Sequence, residues 1–366
     1  MERIFNSVKF KYEYLNKEFV YTRASKYIKN INIFINLDDF FHKMHNTLTD
    51  KEMHTAGSDS YKQFVSNIMN LVGHYKNWAV KESLYPTIYL IYTTAKTFKN
   101  AIRINKYRDY YRHINDMNNP KFFYVNNTIT NSIPIMEVIV KYIPNVYTIN
   151  ADYIEPSIVP YFINKIKPKD FNFLISRDDY DLQYTSFPDW AILRVKGQTS
   201  IYVTQGNLWK FISGKAFKNN EYNDIYLSSN MYQLALAILG DKYRNIPKLT
   251  RTSWKTIIKY LESCSGDNNS MYELQKKKLI DYINEKKIKD TDFNTNSYCT
   301  SVYQQVESLL DSDVAHIILQ LEDMQDMQEL QRVNSTIFKE YPLNLPFLIR
   351  ERVDYVDKHD DYFWRK

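Results

Sequence analysis

The stretch LALAILGDKYRNIPKLTRTSWKTIIKYL, residues 234–261, decides the fold of this chain. An apolar helical pattern runs into Gly240 and Asp241, and glycine is well suited to end a helix. A basic loop closes with Asn245-Ile246-Pro247, after which apolar residues recur at the spacing of a second amphipathic helix. The pattern therefore predicts two helices joined by a tight loop within residues 231–262.

Upstream of this stretch, short β-rich runs alternate with helical patterns. INIFIN (31–36) alternates polar and apolar residues with β-branched content, which indicates a strand. TIYLIY (87–92) is an apolar β-rich run, as buried strands are. PNVYTIN (144–150) and FNFLIS (171–176) indicate two further strands, and a helical pattern covers 61–80. Strands that alternate with helices predict an α/β fold with a mostly parallel central sheet flanked by helices.

The order of these patterns divides the chain into three parts. Residues 1–30 are an N-terminal extension, and residues 31–206 are an α/β core that contains the basic segment 95–112. Residues 207–366 are a mostly helical part that includes 231–262. Because open α/β sheets bind ligands at the carboxyl ends of their strands, we expect a functional site there.

Composition limits the class of protein. With 366 residues, of which 44% are hydrophobic and 16% aromatic, the chain can bury a full core. The net charge of +6 favours a polyanionic partner only where positive charges cluster. Cys264 and Cys299 form no CxxC pair, which argues against a zinc ribbon or a disulfide framework. A charged N-terminus and the lack of a long apolar run predict a cytoplasmic protein without a membrane partner.

The segment GDKYRNIP (240–247) resembles the loop of the helix-hairpin-helix region in the 5′-nuclease superfamily. This family comprises flap endonucleases and 5′–3′ exonucleases and includes the ribonuclease H of T-even phages. Its loop has roughly the form GD-x-x-DN-[IV]-P, and Arg244 stands where the resemblance implies a metal-binding Asp. The resemblance covers residues 30–262. The chain has only 7 glycines but 32 tyrosines, a composition typical of an AT-rich genome such as that of a phage. A phage protein of this kind would be located in the host cell cytoplasm.

An acidic cluster follows the fourth predicted strand. ISRDDYDLQY (175–184) resembles the family signature S-x-D-x-D-x-x-Q. In an extended backbone, residues two apart point the same way, so Asp179 and Asp181 would face one divalent cation. An alignment without a gap instead keeps Asp178 and puts Tyr180 at the second acidic position. A solvated acidic turn is the alternative for the same residues.

Asp241 is the second predicted ligand position. The resemblance makes Asp178, Asp179, Asp181 and Asp241 the candidate catalytic residues. The alternative is that Gly240 and Asp241 only form the C-terminal turn of a helix, a role that is compatible with metal binding.

The metal site implied by the resemblance lacks several acids in this chain. The family holds two Mg²⁺ ions, about 4 Å apart, with about seven or eight carboxylates. Asn36, Thr93 and Arg244 stand where the resemblance implies acids. An arginine among the ligands repels a divalent cation, so we expect a single Mg²⁺ or none. The remaining candidate metal ligands are Asp179, Asp181, Asp241, Glu155 and Asp38.

Two basic segments predict contacts with phosphates. The segment 95–112 interleaves cations with aromatic residues that stack on unpaired bases, and it resembles the base of the arch through which the family passes single-stranded 5′ ends. A solvated helix face is the alternative. The second segment lies on the predicted hairpin that grips duplex backbone in relatives. The predicted nucleic-acid-binding residues are Lys96, Lys99, Arg103, Arg108 and Arg112, and then Lys242, Arg244, Lys248, Arg251 and Lys255.

Three functions are consistent with these features. The first is a nucleic-acid-binding protein of the 5′-nuclease type that binds flap, nicked or branched DNA, or RNA–DNA hybrids, and cleaves weakly or not at all. The second is an active Mg²⁺-dependent 5′–3′ exonuclease, flap endonuclease or ribonuclease H with a reduced site. The third is a pseudoenzyme that serves as a protein-interaction or virion component. The sequence points to no particular protein partner.

Overall fold

The structure is a computed structural model. It describes residues 29–37, 59–81, 84–92, 133, 136–137, 140–151, 154–176, 178–196, 199–216, 227–241, 244, 246–262, 268–309, 311–324 and 326–331. By their contacts these residues fall into two compact units. The β1–β3 unit comprises the described residues up to 159 together with 311–331, and the β4–β6 unit comprises 160–309.

The strands and helices that the sequence patterns predict are present, in the predicted order, among the elements of the structure. The strands are β1 (Lys29–Asn36), β2 (Leu84–Tyr92), β3 (Val146–Asn150), β4 (Phe171–Ser176), β5 (Trp190–Lys196) and β6 (Thr199–Val203). The helices are α1 (Asp59–Lys81), α2 (Val159–Ile166), α3 (Leu208–Ala216), α4 (Met231–Leu239), α5 (Trp254–Glu262), α6 (Asn268–Glu285), α7 (Asp290–Thr300), α8 (Val302–Glu307) and α9 (Asp311–Glu322). Short 3-10 helices cover Pro156–Ile158 and Tyr180–Ser186.

The β1–β3 unit is built on parallel strands, because β1 pairs with β2 and β2 pairs with β3 in the same direction. Ile33 and Phe34 point to opposite faces of β1, and both are fully buried. Phe34 stacks on Tyr89 of β2 with ring centroids 5.2 Å apart. Burial on both faces explains the apolar run of β2, whereas β1 carries Asn32 and Asn36 at buried positions.

The β4–β6 unit has one parallel and one antiparallel pairing. β4 lies parallel to β5, and β5 is antiparallel to β6. The sequence interpretation identified no strand between 190 and 203, so β5 and β6 are additions to the predicted core. The prediction of an α/β fold with mostly parallel strands and flanking helices is confirmed.

Both helices predicted around the decisive loop are present as α4 and α5, and residues 231–262 are called the α4–α5 segment below. Ile257, Ile258 and Leu261 of α5 are buried, as their shared helical face predicts. In the part of the chain that the structure describes, no helix combines the length and the apolar character needed to cross a bilayer.

Candidate carboxylate site and nucleic-acid interface

The acidic turn, residues 178–181, follows β4 and is held by hydrogen bonds between residues close in sequence. The backbone N–H of Asp178 donates to Ser176 Oγ over 3.0 Å. The backbone N–H of Tyr180 donates in turn to Asp178 Oδ1 over 2.9 Å. Such side-chain bonds to the backbone two residues away are typical of Asp in turns and start the 3-10 helix that follows.

Asp179 and Asp181 do not lie in an extended backbone, so the predicted alternation is wrong. Asp179 has helical dihedral angles, with φ −68° and ψ −25°, and the 3-10 helix begins at the next residue. Asp181 is 1% exposed, and its Oδ2 accepts a 2.5 Å hydrogen bond from Ser176 Oγ. The carboxylate of Asp179 is 48% exposed and has a different partner. The two side chains therefore serve different local interactions.

The partner of Asp179 is Arg194, a residue that the sequence interpretation did not identify. Arg194 Nη2 lies 2.6 Å from Asp179 Oδ1, and the guanidinium carbon of Arg194 lies 5.9 Å from the ring centroid of Phe211. Arg194 is located on β5, which pairs with β4, so sheet pairing brings it to the acidic turn. Sequence analysis could have identified Arg194 only if β5 had been predicted first.

The loop of the α4–α5 segment turns sharply at Gly240. Its φ of +69° favours glycine, and a β-carbon there would lie 2.5 Å from the carbonyl oxygen of Ile246. Asp241 and Ile246 form an antiparallel bridge with two backbone hydrogen bonds of 3.0 and 2.9 Å. Asn296 of α7 donates to the carbonyl of Pro247 over 2.7 Å. These bonds hold the backbone at Asp241, Ile246 and Pro247.

Arg244 lies between two of the predicted catalytic carboxylates. Its Nη1 is 2.5 Å from Asp178 Oδ2 and 2.8 Å from Asp241 Oδ2. The guanidinium carbon lies 3.8 Å from the ring centroid of Tyr180. The side chain of Arg244 is only 6% exposed. The guanidinium of Arg244, which the sequence analysis predicted to contact phosphates, is buried against these carboxylates.

The carboxylates of the β4–β6 unit do not fit a divalent metal ion in this arrangement. Asp178 and Asp241 both pair with Arg244, while Asp179 pairs with Arg194. Among the described residues there is no group of three or more His, Cys, Asp or Glu side chains that could hold a metal ion. Arginine thus pairs with three of the four predicted catalytic acids, and in this arrangement these three carboxylates are directed to guanidinium groups rather than to a metal ion.

Tyr232 of α4 connects the acidic turn to α5. Its hydroxyl donates a 2.6 Å hydrogen bond to the carbonyl of Asp179. Its ring stacks on Trp254 at 5.0 Å with an interplanar angle of 9°. Burial and the nearby Asp179 raise the pKa of Tyr232 well above its usual value, so the phenol stays protonated and continues to donate.

The exposed face of the α4–α5 segment is basic. Two adjacent open grooves of about 670 and 500 Å³ share Ser253 and Thr256. Lys286 from the end of α6 joins the second groove, where Tyr260 is half-buried. Three predicted cations of this segment, Lys248, Arg251 and Lys255, are exposed and line these grooves, and so does Lys259.

The remaining predicted site residues lie elsewhere. Glu155 belongs to the β1–β3 unit, where it is 8% exposed and precedes the 3-10 helix. Asn36 ends β1 and is buried. The other predicted positions fall outside the described residues, namely Asp38, Thr93, Lys96, Lys99, Arg103, Arg108, Arg112 and Lys242.

Comparison with known proteins gives matches in structure only. No family model matches the sequence, and no curated protein matches it. The solved structures that resemble the chain include 5′-nucleases, the class that the GDKYRNIP segment indicated.

Structures from bacteriophage T5 are among them. A T5 flap endonuclease, determined as a pseudo-enzyme-product complex with DNA and metal ions, is 11% identical with a TM-score of 0.49, over 82% of this chain and 99% of that one. A T5 5′-exonuclease with bound zinc is 10% identical with a TM-score of 0.47, over 82% and 99%. The catalytic core of Rad2 with a DNA substrate is 11% identical with a TM-score of 0.40, over 83% and 93%. Since these TM-scores lie below 0.5, the case for a function depends on the side chains of this chain.

Proposed function

We propose that this chain is a nucleic-acid-binding protein of the 5′-nuclease type that binds flap, nicked or branched DNA, or RNA–DNA hybrids, and that its cleavage activity is weak or lost. The observation that carries the proposal is the division of cations within the α4–α5 segment. Arg244 is buried against Asp178 and Asp241. The exposed cations of the same segment are Lys248, Arg251, Lys255 and Lys259.

The exposed cations are suited to a polyanionic backbone. Lys255 and Lys259 are one helical turn apart, so their side chains emerge on the same face of α5. Arg251 precedes the helix and lines the adjoining groove together with hydroxyl-bearing Ser253 and Thr256. Duplex DNA carries about one charge per 1.7 Å of axis, so a row of cations engages several phosphates at once. The predicted basic segment 95–112 would add contacts with a single strand.

The engaged carboxylates support the proposal of weak or lost cleavage. Phosphodiester hydrolysis by paired metal ions needs carboxylates that are free to coordinate them. Asp178 and Asp241 already share the guanidinium of Arg244 at hydrogen-bonding distance. Asp179 is neutralised by Arg194. Binding through exposed cations does not depend on these acids, so binding can persist where hydrolysis does not.

The binding half of the proposal is tested with the full-length chain and a fluorescent forked DNA in a buffer that contains EDTA. We expect the Lys255→Glu/Lys259→Glu variant to bind at least about tenfold more weakly than wild type, because two phosphate contacts become repulsions. The matched control is Lys276→Glu/Lys277→Glu, which makes the same charge change at two exposed positions of α6. If both variants lost the same DNA affinity, the loss would be due to net charge alone. That result would contradict an interface on α5.

The cleavage half is tested with a labelled 5′-flap substrate and either Mg²⁺ or Mn²⁺. We expect no cleavage, or cleavage far slower than binding. Efficient metal-dependent cleavage that Asp181→Ala abolishes would instead establish an active nuclease. A wild-type protein that binds no nucleic acid at low salt would contradict the proposal altogether and favour a protein-interaction or virion role.

A further inference from the structure

Arg244 also links the acidic turn to the loop of the α4–α5 segment. Asp178 and Arg244 are 66 residues apart in sequence, and their ion pair joins the turn after β4 to the loop of the α4–α5 segment. The side chains of Arg244, Asp178 and Asp241 are 6%, 19% and 9% exposed. Carboxylates at this depth need a counter-ion, because burial of an unpaired charge is very costly.

The surroundings of the guanidinium are matched to a planar cation rather than to a metal ion. One face of Arg244 lies 3.8 Å from the centre of the Tyr180 ring, which is 1% exposed. Guanidinium groups stack favourably on aromatic faces, whereas Mg²⁺ requires about six oxygen ligands in an octahedral arrangement. An aromatic face supplies none of these oxygens.

Tyr180 is itself held in place by hydrogen bonds. Gln305 of α8 donates from Nε2 to the Tyr180 hydroxyl over 2.8 Å and to the carbonyl of Cys299 over 2.9 Å. Gln183, three residues after Tyr180, accepts a 2.7 Å hydrogen bond from the backbone N–H of Val302. The ring that stacks on Arg244 is thus fixed by buried hydrogen bonds to α8 and the residues before it.

We propose that the Arg244 guanidinium is a permanent internal counter-ion that takes the place of a divalent cation at Asp178 and Asp241. It ties the acidic turn to the α4–α5 segment and makes that arrangement independent of metal. This inference deepens the proposed function, since it concerns the carboxylates whose engagement limits cleavage, but it makes no use of nucleic-acid binding. If this is correct, the stability of the wild-type fold is the same with and without divalent ions.

The experiment follows thermal unfolding of the full-length protein in EDTA and in millimolar Mn²⁺. For wild type we expect the same unfolding midpoint in both buffers. For Arg244→Gln we expect a lower midpoint in EDTA and partial recovery in Mn²⁺, because Asp178 and Asp241, once without the guanidinium, then accept a divalent cation. Addition of Asp241→Asn to Arg244→Gln should abolish that recovery. Arg244→Lys retains one positive charge without the planar stack, and we expect a lower midpoint with no response to Mn²⁺.

The wild-type measurement decides the proposal even if Arg244→Gln does not fold. A rise of the wild-type midpoint in Mn²⁺ that either Asp178→Asn or Asp241→Asn removes would overturn it, since metal would then displace the guanidinium. An Arg244→Gln protein as stable as wild type in EDTA would also overturn it, because no counter-ion would be needed. DNA binding in EDTA, measured separately, reports on the proposed function and is unaffected by either outcome.

Discussion

The ion pair between Arg194 and Asp179 is asymmetric in its exposure to solvent. The atoms Nη2 and Oδ1 are 2.6 Å apart, yet the arginine side chain is 11% exposed while the aspartate side chain is 48% exposed. Water can hydrate the carboxylate when its partner is lost, but it can hardly reach the guanidinium. Loss of the aspartate should therefore cost more stability than loss of the arginine.

Replacement of each partner in turn tests this asymmetry. We expect Asp179→Ala to lower the free energy of unfolding by about 1–3 kcal/mol, because it leaves the buried guanidinium without its carboxylate. Arg194→Met keeps the apolar stem against Phe211, and we expect a loss below about 1 kcal/mol. Urea denaturation measures both losses. The opposite ranking would mean that the carboxylate is the partner that depends on the pair.

Gly240 is expected to be irreplaceable in the loop that presents Asp241. An added β-carbon would lie 2.5 Å from the Ile246 carbonyl oxygen and 2.8 Å from the backbone nitrogen of Lys248, at a φ of +69°. We expect Gly240→Ala to lower the free energy of unfolding by more than about 2 kcal/mol, since backbone atoms must move.

The matched control for Gly240 is Gly73 in α1, where an added β-carbon meets nothing within 4 Å. Gly73→Ala should stabilise the protein by about 0.5–1 kcal/mol, because alanine favours the helix. Urea denaturation reports both changes. A similar effect of the two substitutions would show that the loop backbone adapts without cost.

Cys299 gives stability a dependence on alkaline pH. Burial raises the pKa of its thiol from 9.0 to about 12. Above about pH 9 the unfolded chain releases this proton while the folded chain retains it, so the free energy of unfolding falls by up to about 1.4 kcal/mol per pH unit. At lower pH the thiol is protonated in both states and contributes no slope.

The measurement compares Cys264→Ser with Cys264→Ser/Cys299→Ala by urea denaturation at about pH 8 and about pH 10. We expect stability to fall more steeply in the variant that keeps Cys299, because ionisation of other groups cancels between the two proteins. Equal slopes would contradict a buried, protonated thiol. A thiol-specific reagent should likewise label Cys299 only as fast as the protein opens.

Arg251 is expected to contribute one phosphate contact. The logarithm of the binding constant should fall linearly with the logarithm of salt concentration, and Arg251→Gln should reduce the magnitude of the slope by about 0.9. Lys277→Gln on α6 removes the same charge at another exposed position and should leave the slope unchanged. Fluorescence anisotropy with a forked DNA over a salt series gives both values. An unchanged slope for Arg251→Gln would remove this residue from the interface.

The sequence by itself determined the elements whose signal is local. The β-rich patterns of β1 to β4 and the helical periodicity of α1, α4 and α5 depend on residues a few positions apart, so these patterns identify the elements directly. β5 and β6 were not identified, although β5 supplies Arg194 to the acidic turn.

Only the tertiary structure decided which partners the acids take. The sequence predicted that Asp179 and Asp181 would share one cation, but a 3-10 helix separates their roles. It identified Arg244 as a cation at an acidic position, yet the contact with Asp178 arises because the fold brings together residues 66 positions apart. Periodicity encodes the burial of each element, whereas the pairing of charges depends on distances that exist only after the elements have packed.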